Sequence, residues 1–360
     1  MNIPDHRKAI DKLDAQIVQL LNDRTRHVLQ IGEMKIKSGE AIYAPHRERM
    51  VLQRICKMNA GPITQESLRA IYREIMSSAL SLEKSMTIAY LGPEATFTHQ
   101  AAIQKFGASL NYSPQKTIPD IFTEVGRNRA DYGVVPVENS TEGVVTHTLD
   151  MFFDSDLQIV AQIVLPIQFC LAGQAELKNV QRLYAHPQAL GQCRVWVQRH
   201  LPNAEIFETS SNARSAELTA AADNDPKLRG KVAAITGFLA AEKHNLKVIE
   251  RDTQDFNTNA TRFLVLGRQC SPPTGHDRTS VMFSVTDRVG ALHDALAAFR
   301  RHKLNMTKIE SRPSKRKAWD YFFFVDCDGH MTDPEVAKAI ANLEEVCKFV
   351  KILGSYPNCD

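Results

Sequence analysis

The sequence predicts a multidomain chain in three parts: an all-α module, an α/β body and a small α+β module of order βαββαβ. Three observations carry this. From Pro4 to Ser38 apolar residues recur at three- and four-residue spacing, the stripe of a long amphipathic helix. From Thr87 to Leu266, strand-like runs alternate with helical stretches, as in a sheet with helices on its faces. After Ser271-Pro272-Pro273-Thr274-Gly275, a linker by composition, strand and helix patterns resume in the βαββαβ order. The predicted bounds are 1–86, 87–268, a linker at 269–278, and 279–360. A chain of 360 residues is also too long for one ordinary core.

In the first part the stripe is Ile10, Leu13, Ile17, Leu20, Leu21, Val28 and Ile31. At about 1.5 Å per residue the helix reaches roughly 50 Å. Gly39 interrupts it, Pro45 suits the first turn of a second helix, and Gly61-Pro62 separates a third, from Ile63 to about Glu83. Two shorter helices cannot bury so long a stripe, so a second chain is expected to, in a homodimer or higher oligomer. Arg7, Arg24, Lys35 and Arg47 lie on or beside apolar faces. By composition alone they read as snorkelling stems or surface ion pairs.

In the body, two islands stand out. Val135-Pro136-Val137-Glu138-Asn139-Ser140-Thr141-Glu142-Gly143 and Asn259-Ala260-Thr261-Arg262-Phe263 place hydroxyl, amide and charged side chains where a strand begins or ends. Ligands bind at strand ends in open α/β sheets. Strands are expected near 86–91, 132–137, 158–171, 180–185, 204–208 and 232–235, with helices near 97–106, 188–201, 212–223 and 237–243. The last part reads as strand Thr279–Thr286, helix Val289–His302, strands Asn305–Ser311 and Trp319–Asp326, helix Asp333–Val346 and strand Phe349–Tyr356. The basic run Lys315-Arg316-Lys317 reads as solvated surface.

The totals exclude several classes. With 44 basic and 41 acidic residues the net charge is only +3, so there is no electrostatic case for nucleic acid or an anionic membrane. The 7 cysteines are widely spaced with no Cys-x-x-Cys pair, which suits a reduced, cytoplasmic protein. Charged residues throughout the first stretch argue against a signal peptide. No run approaches the roughly 20 apolar residues of a membrane span. No Gly-x-Gly-x-x-Gly or Walker sequence and no metal-ligand spacing occurs, so neither cofactor nor metal is expected.

Pro136-Val137-Glu138-Asn139-Ser140, then His186-Pro187-Gln188 with Gln192-Cys193, then Thr261-Arg262-Phe263, in that order, resemble prephenate dehydratase. With Arg7, Asp14, Arg24, Lys35 and Arg47-Glu48 before them, and Gly290-Ala291-Leu292 and Glu310-Ser311-Arg312-Pro313 after, nearly the whole chain resembles the bifunctional chorismate mutase–prephenate dehydratase family. The resemblance implies an all-helical mutase module, a two-lobed dehydratase with a periplasmic-binding-protein-like fold, and an ACT regulatory domain. It implies chorismate and prephenate as substrates and L-phenylalanine as allosteric inhibitor.

It also implies residue roles. In the mutase, Arg7, Arg24, Lys35, Arg47, Glu48 and Glu83 form the catalytic set, the basic residues gripping the substrate carboxylates and one arginine coming from the other subunit. Ala44, Ala79 and Glu83 depart from the enteric pattern of aspartate, serine and glutamine. An ionised glutamate cannot donate to the ether oxygen, so Glu83 is expected to be protonated during turnover. Burial would raise its pKa and the arginines lower it, a balance the sequence leaves open. In the dehydratase, Thr261 held by the cation of Arg262 is the expected acid, with Glu138, Asn139, Ser140 and Gln192 in the catalytic set. Thr98, Ser211 and Phe263 are expected to bind substrate. In the ACT domain, Gly290, Ala291, Leu292, Asn305, Glu310, Ser311 and Arg312 are expected to bind phenylalanine. A binding protein that regulates something else, and a dehydratase whose helical part only dimerises, are the alternatives.

Overall fold

The computed structural model describes residues 2–40, 42–314 and 320–358. Lys315-Arg316-Lys317 and Trp319 lie outside the described residues. The described chain forms two compact units, one of residues 1–87 and 105–111, the other of 88–104 and 112–360.

The first unit is helical. Helix α1 (Ile3–Ser38) begins with a capping box, Asn2 accepting from the Asp5 N–H and Asp5 returning the bond, and ends at Gly39 in the left-handed conformation. Helix α2 (Pro45–Met58) starts with proline in its first turn, and α3 (Gln65–Glu83) is capped by Thr64. The apolar stripe of α1 is largely uncovered within the chain: Ile10, Leu13, Ile17 and Leu20 are all more than half exposed. Residues 105–111, expected within the α/β body, belong to this unit. Phe106 lies against Tyr43, and Ser77 and Glu74 of α3 accept from the Ser109 and Ala108 N–H groups.

After α3 the chain forms β1 (Thr87–Leu91), α4 (Phe97–Phe106), β2 (Asn111–Gln115), α5 (Ile118–Gly126), β3 (Tyr132–Asn139), β4 (Gly143–Val144) and α6 (Thr146–Met151). Strand β5 (Gln158–Pro166) then leaves the first lobe, and β6 (Cys170–Gly173) enters the second. There follow β7 (Arg182–Ala185), α7 (Pro187–Gln192), α8 (Arg194–His200), β8 (Glu205–Glu208), α9 (Asn212–Ala222), β9 (Val232–Thr236), α10 (Phe238–Lys243) and β10 (Lys247–Arg251). Strand β11 (Ala260–Gly267) returns to the first lobe. The first sheet runs β2-β1-β3-β11-β5, with β4 on β3; the second runs β10-β6-β9-β7-β8. The chain therefore passes between the lobes twice, and the islands at 135–143 and 259–263 lie on adjacent strands of one sheet.

The last part is β12 (Asp277–Ser284), α11 (Ala291–Arg301), β13 (Met306–Pro313), β14 (Tyr321–Asp328), α12 (Pro334–Val346) and β15 (Phe349–Pro357), in the βαββαβ order. Its antiparallel sheet runs β13-β14-β12-β15. Strand alternation gives the sheet two buried faces. Val281, Phe283, Val325 and Cys327 pack with Ala295, Ala298, Phe299 and Leu343 of the two helices. Met282, Phe322, Phe324, Leu353 and Tyr356 pack on the first lobe with Val135, Val137, Leu264 and Leu266. The stretch read as linker is itself tied down: Ser271 Oγ donates to the Val160 carbonyl, and the Ser271 carbonyl lies 2.8 Å from His330 Nε2.

Candidate functional site

Two clusters meet the requirements of a site. In the helical unit, Glu83 at the end of α3 lies directly on Gly32 of α1. A Cβ at Gly32 would come 2.9 Å from Glu83 Cγ and 3.2 Å from its Oε2. Gly32 is the buried residue of α1, placed where its missing side chain lets the two helices meet. Burial lifts the Glu83 carboxyl above the usual range; Lys35 and then Arg24 oppose the shift without cancelling it. Arg24 Nη1 and Glu83 Oε2 are buried without a hydrogen-bond partner among the described residues, an uncommon condition. Lys35 Nζ donates to the Ile42 carbonyl at 2.8 Å. His46, to which the sequence assigns no role, has a buried Nδ1 without a partner among the described residues, and burial followed by Lys35 and Arg47 lowers its pKa.

Three expected members are not gathered here within one chain. Arg7 and Arg47 are exposed. Glu48 is turned aside: its Oε2 accepts from the Tyr43 hydroxyl and pairs with Lys105 Nζ, each at 3.0 Å. Glu48 and Arg47 are consecutive on a helix, so they point about 100° apart.

In the second unit, Thr261 of β11 pairs in register with Asn139 of β3. Asn139 Nδ2 donates to Thr261 Oγ1 and to Asn259 Oδ1, both at 2.8 Å. Its Oδ1 accepts from the Thr141 N–H and hydroxyl and from the Glu142 N–H. Those donors fix the amide orientation, so Thr261 accepts from Asn139 and keeps its own hydroxyl proton to donate. From the second lobe, Gln192 Oε1 accepts from Asn259 Nδ2 at 2.6 Å, while its amide reaches Glu142 Oε1 at 3.3 Å. Ser140 Oγ accepts from the Ala260 N–H, stitching the two islands together. Asn259, Thr141 and Glu142 join the site although sequence reasoning assigns them no role; their polar side chains within the two islands are the signal that could have found them.

Arg262 departs from the expected arrangement. Consecutive strand residues face opposite sides, so its guanidinium points away from Thr261. Nε donates to Gln162 at 2.9 Å, Nη1 to Asp326 at 2.6 Å and Nη2 to the Tyr356 hydroxyl at 2.8 Å. Glu138, paired with Arg262 in register, also faces that side and accepts from Lys308 Nζ at 2.8 Å. A bulge permits this: Arg262 pairs with Glu138 but Phe263 with Pro136, leaving Val137 as the extra residue. Phe263 is buried, on the same face as Thr261.

Ser211 caps α9, accepting from the Arg214 N–H at 3.1 Å. Thr98 is buried in the first turn of α4. His186 has its pKa lowered by burial, against the pull of Glu208. Burial pushes the Cys193 thiol up to about 12, which leaves it protonated and unsuited to attack.

In the last part, Gly290 takes φ +80° before Ala291 and Leu292 open α11. Ser284, Phe322 and Arg312 share one register line, so the start of α11 and Glu310–Arg312 lie at the same end of the sheet. Arg312 engages Asp150 through Nε and Nη2, at 3.0 and 3.1 Å. Ser311 faces the side opposite Glu310 and Arg312, and Asn305, bonded to Asp328, lies at the other end of β13. Within one chain, then, the structure does not gather all seven.

Among the described residues no group of three His, Cys, Asp or Glu could hold a metal ion, and no helix is long and apolar enough to cross a membrane. Family models match in sequence order: chorismate mutase type II over residues 6–84, prephenate dehydratase over 88–271 and the ACT domain over 279–345. The chain is 47% identical over 356 residues to the bifunctional chorismate mutase/prephenate dehydratase of Aquifex aeolicus, covering 98% of this chain and 96% of that one. It is 44% identical to the protein of that name from Neisseria gonorrhoeae, with the same coverage of each. Among solved structures, prephenate dehydratase of Arthrobacter aurescens in complex with L-Phe is 37% identical, with a TM-score of 0.70 over 76% of this chain and 91% of that one. Three domain matches in order and near-full-length identity lead to one conclusion: this chain belongs to the bifunctional chorismate mutase/prephenate dehydratase family.

Proposed function

We propose that the helical unit rearranges chorismate to prephenate, that the two-lobed body converts prephenate to phenylpyruvate, and that L-phenylalanine inhibits the second step at the ACT domain. The observation that carries this reading is the Thr261–Asn139–Asn259–Gln192 cluster, drawn from both lobes.

The mutase reaction is pericyclic and needs no nucleophile. Holding the dianion in its reactive conformer can lower the barrier by about 7–11 kcal/mol. Arg24 and Lys35 hold carboxylate. Protonated Glu83 donates to the ether oxygen, where negative charge builds as the C–O bond breaks, a contribution of about 2.7–4 kcal/mol. The exposed stripe of α1 is covered by a second copy in a homodimer, which brings Arg7 to the partner's site, and Arg47 closes on bound substrate. Glu48 orders α2 through Tyr43 and Lys105.

In the dehydratase, the Thr261 hydroxyl passes its proton to the leaving ring hydroxyl, which departs as water, and regains a proton from solvent, while CO₂ departs and the ring becomes aromatic. Its acceptor bond from Asn139 holds that proton in one direction. Gln192, Ser140, Thr98 and the start of α9 at Ser211 bind the substrate's polar groups, and Phe263 packs beneath Thr261. Arg262 and Glu138 act through their backbone neighbours. At the ACT domain, Gly290–Leu292 and Glu310–Arg312 take phenylalanine, and Asn305 completes the set from a second copy. The wide spacing of the 7 cysteines, with no Cys-x-x-Cys pair, supports a reduced, cytoplasmic setting. The test is to add chorismate and follow its loss together with phenylpyruvate formation, with and without phenylalanine. No consumption of chorismate, or prephenate that accumulates unconverted, overturns the reading.

A further inference from the structure

The charged residues that flank Thr261 and Asn139 are held from the ACT sheet. Its strands supply Ser280 from β12, Asp326 from β14 and Tyr356 from β15, and together these clasp the one guanidinium of Arg262. Asp326 Oδ2 accepts from Arg262, its Oδ1 accepts from Ser280 Oγ at 2.5 Å, and Ser280 Oγ lies 2.7 Å from the Tyr356 hydroxyl. The Arg262 and Asp326 side chains are only 13% and 10% exposed. Lys308 of β13, 10% exposed, makes a second pair with Glu138, whose side chain is 39% exposed, so the buried-charge constraint there falls on the lysine.

These charges lie beside the apolar residues Met282, Phe322, Phe324 and Leu353, with Gln162, which also accepts from Arg278 and donates to Asn358, as a further polar neighbour. A buried ion pair adhesively gains little over a hydrophobic pair of the same volume, because desolvation offsets the attraction. What it does impose is geometry, since either partner left alone in the interior is strongly disfavoured. A water-sized cavity of about 20 Å³ lies against the pair, lined by Arg262, Asp326, Ser280 and Lys308 together with core residues such as Leu264 and Phe324. On the other side of the same two strands, Thr261 and Asn139 are partners in register. Any displacement of the ACT sheet must then drag Arg262 and Glu138, and with them the backbone that aims the Thr261 hydroxyl.

We propose that Asp326 and Lys308 are positioning residues of the dehydratase centre, acting from the ACT sheet through Arg262 and Glu138 to set the Thr261–Asn139 pair. This rests on the reading of Thr261 as the dehydratase acid. Substrate contacts are unaffected by such a role, so loss of positioning lowers kcat and leaves KM nearly unchanged.

The experiment uses the full chain. Asp326→Asn keeps shape and an acceptor but removes the charge; Lys308→Met keeps the stem; Asp326→Glu restores the charge. Dehydratase kcat and KM, mutase activity and Tm are measured for each. Asp326→Asn and Lys308→Met are expected to lower dehydratase kcat by about ten- to a hundredfold with KM within about twofold, the scale of a small misplacement of a catalytic group. Mutase activity should hold, and Asp326→Glu should recover part of kcat. If Asp326→Asn loses mutase activity as well, it has misfolded, and Lys308→Met alone decides. Unchanged kcat in folded variants, or a raised KM at constant kcat, overturns the proposal. Thr261→Ala separates the two readings: if it spares dehydratase activity, the site reading fails. If it abolishes the activity while folded Asp326 and Lys308 variants keep theirs, only the positioning proposal fails.

Discussion

Substituting Glu83 by glutamine tests the mutase reading most directly. Burial raises the Glu83 pKa and Lys35 and Arg24 oppose it, so the acid form persists to higher pH than for a free glutamate. The sign follows: if the acid donates to the ether oxygen, kcat/KM is highest below the folded-state pKa. It then falls as pH rises through that value, by about tenfold per unit beyond it. Glutamine has N–H donors at the same reach and does not titrate. Glu83→Gln should therefore flatten the profile and exceed wild type at the basic end. Glu83→Ala, with no donor, should lose about 10²–10³-fold in kcat, corresponding to about 2.7–4 kcal/mol. Lys35 exerts the larger of the two opposing influences on Glu83, so Lys35→Met should shift the fall to higher pH even as chorismate binds more weakly. Chorismate absorbance followed from weakly acidic to weakly basic pH reads all four proteins. A wild-type profile that is flat, or a Glu83→Gln profile that falls in parallel with wild type, refutes the reasoning.

Other consequences can be checked separately. Gly32→Ala gains about 0.8–1 kcal/mol of helix propensity. It loses about 1–3 kcal/mol to the contact with Glu83. The net is a loss of zero to about 2 kcal/mol, so Tm of the helical unit should hold or fall by several degrees, while mutase kcat drops up to about 10²-fold because the donor is displaced; a wild-type kcat in a folded variant counts against the Gly32–Glu83 contact. Thr261→Ala should abolish dehydratase activity and spare the mutase, and Asn139→Ala should lower dehydratase kcat more than it raises KM; simultaneous loss of both activities would indicate misfolding instead. Chains carrying Arg7→Ala and chains carrying Glu83→Ala, each inactive as mutase, should regain activity when their subunits are exchanged, because one hybrid site is then intact. Absence of recovery after demonstrated exchange would place Arg7 outside the partner's site.

The order of elements was legible in the sequence because it depends on local pattern. The stripe on α1, the proline and glycine breaks around α2 and the βαββαβ run each follow from residues a few positions apart. The two islands were legible for the same reason: amides and hydroxyls clustered at strand ends. What the tertiary structure decided was direction. Thr261 and Asn139 are 122 positions apart, and their pairing depends on a register between distant strands. A bulge at Val137 within that register sends Glu138 to the side of Arg262 and away from the cleft. Arg262 reads in sequence as the neighbour of a catalytic hydroxyl, whereas alternation in the folded sheet turns it to Asp326. Likewise Glu83 was readable as a titratable group near cations, but its burial on Gly32 settles which influence prevails. Desolvation is a property of the surrounding volume, and local sequence does not encode it.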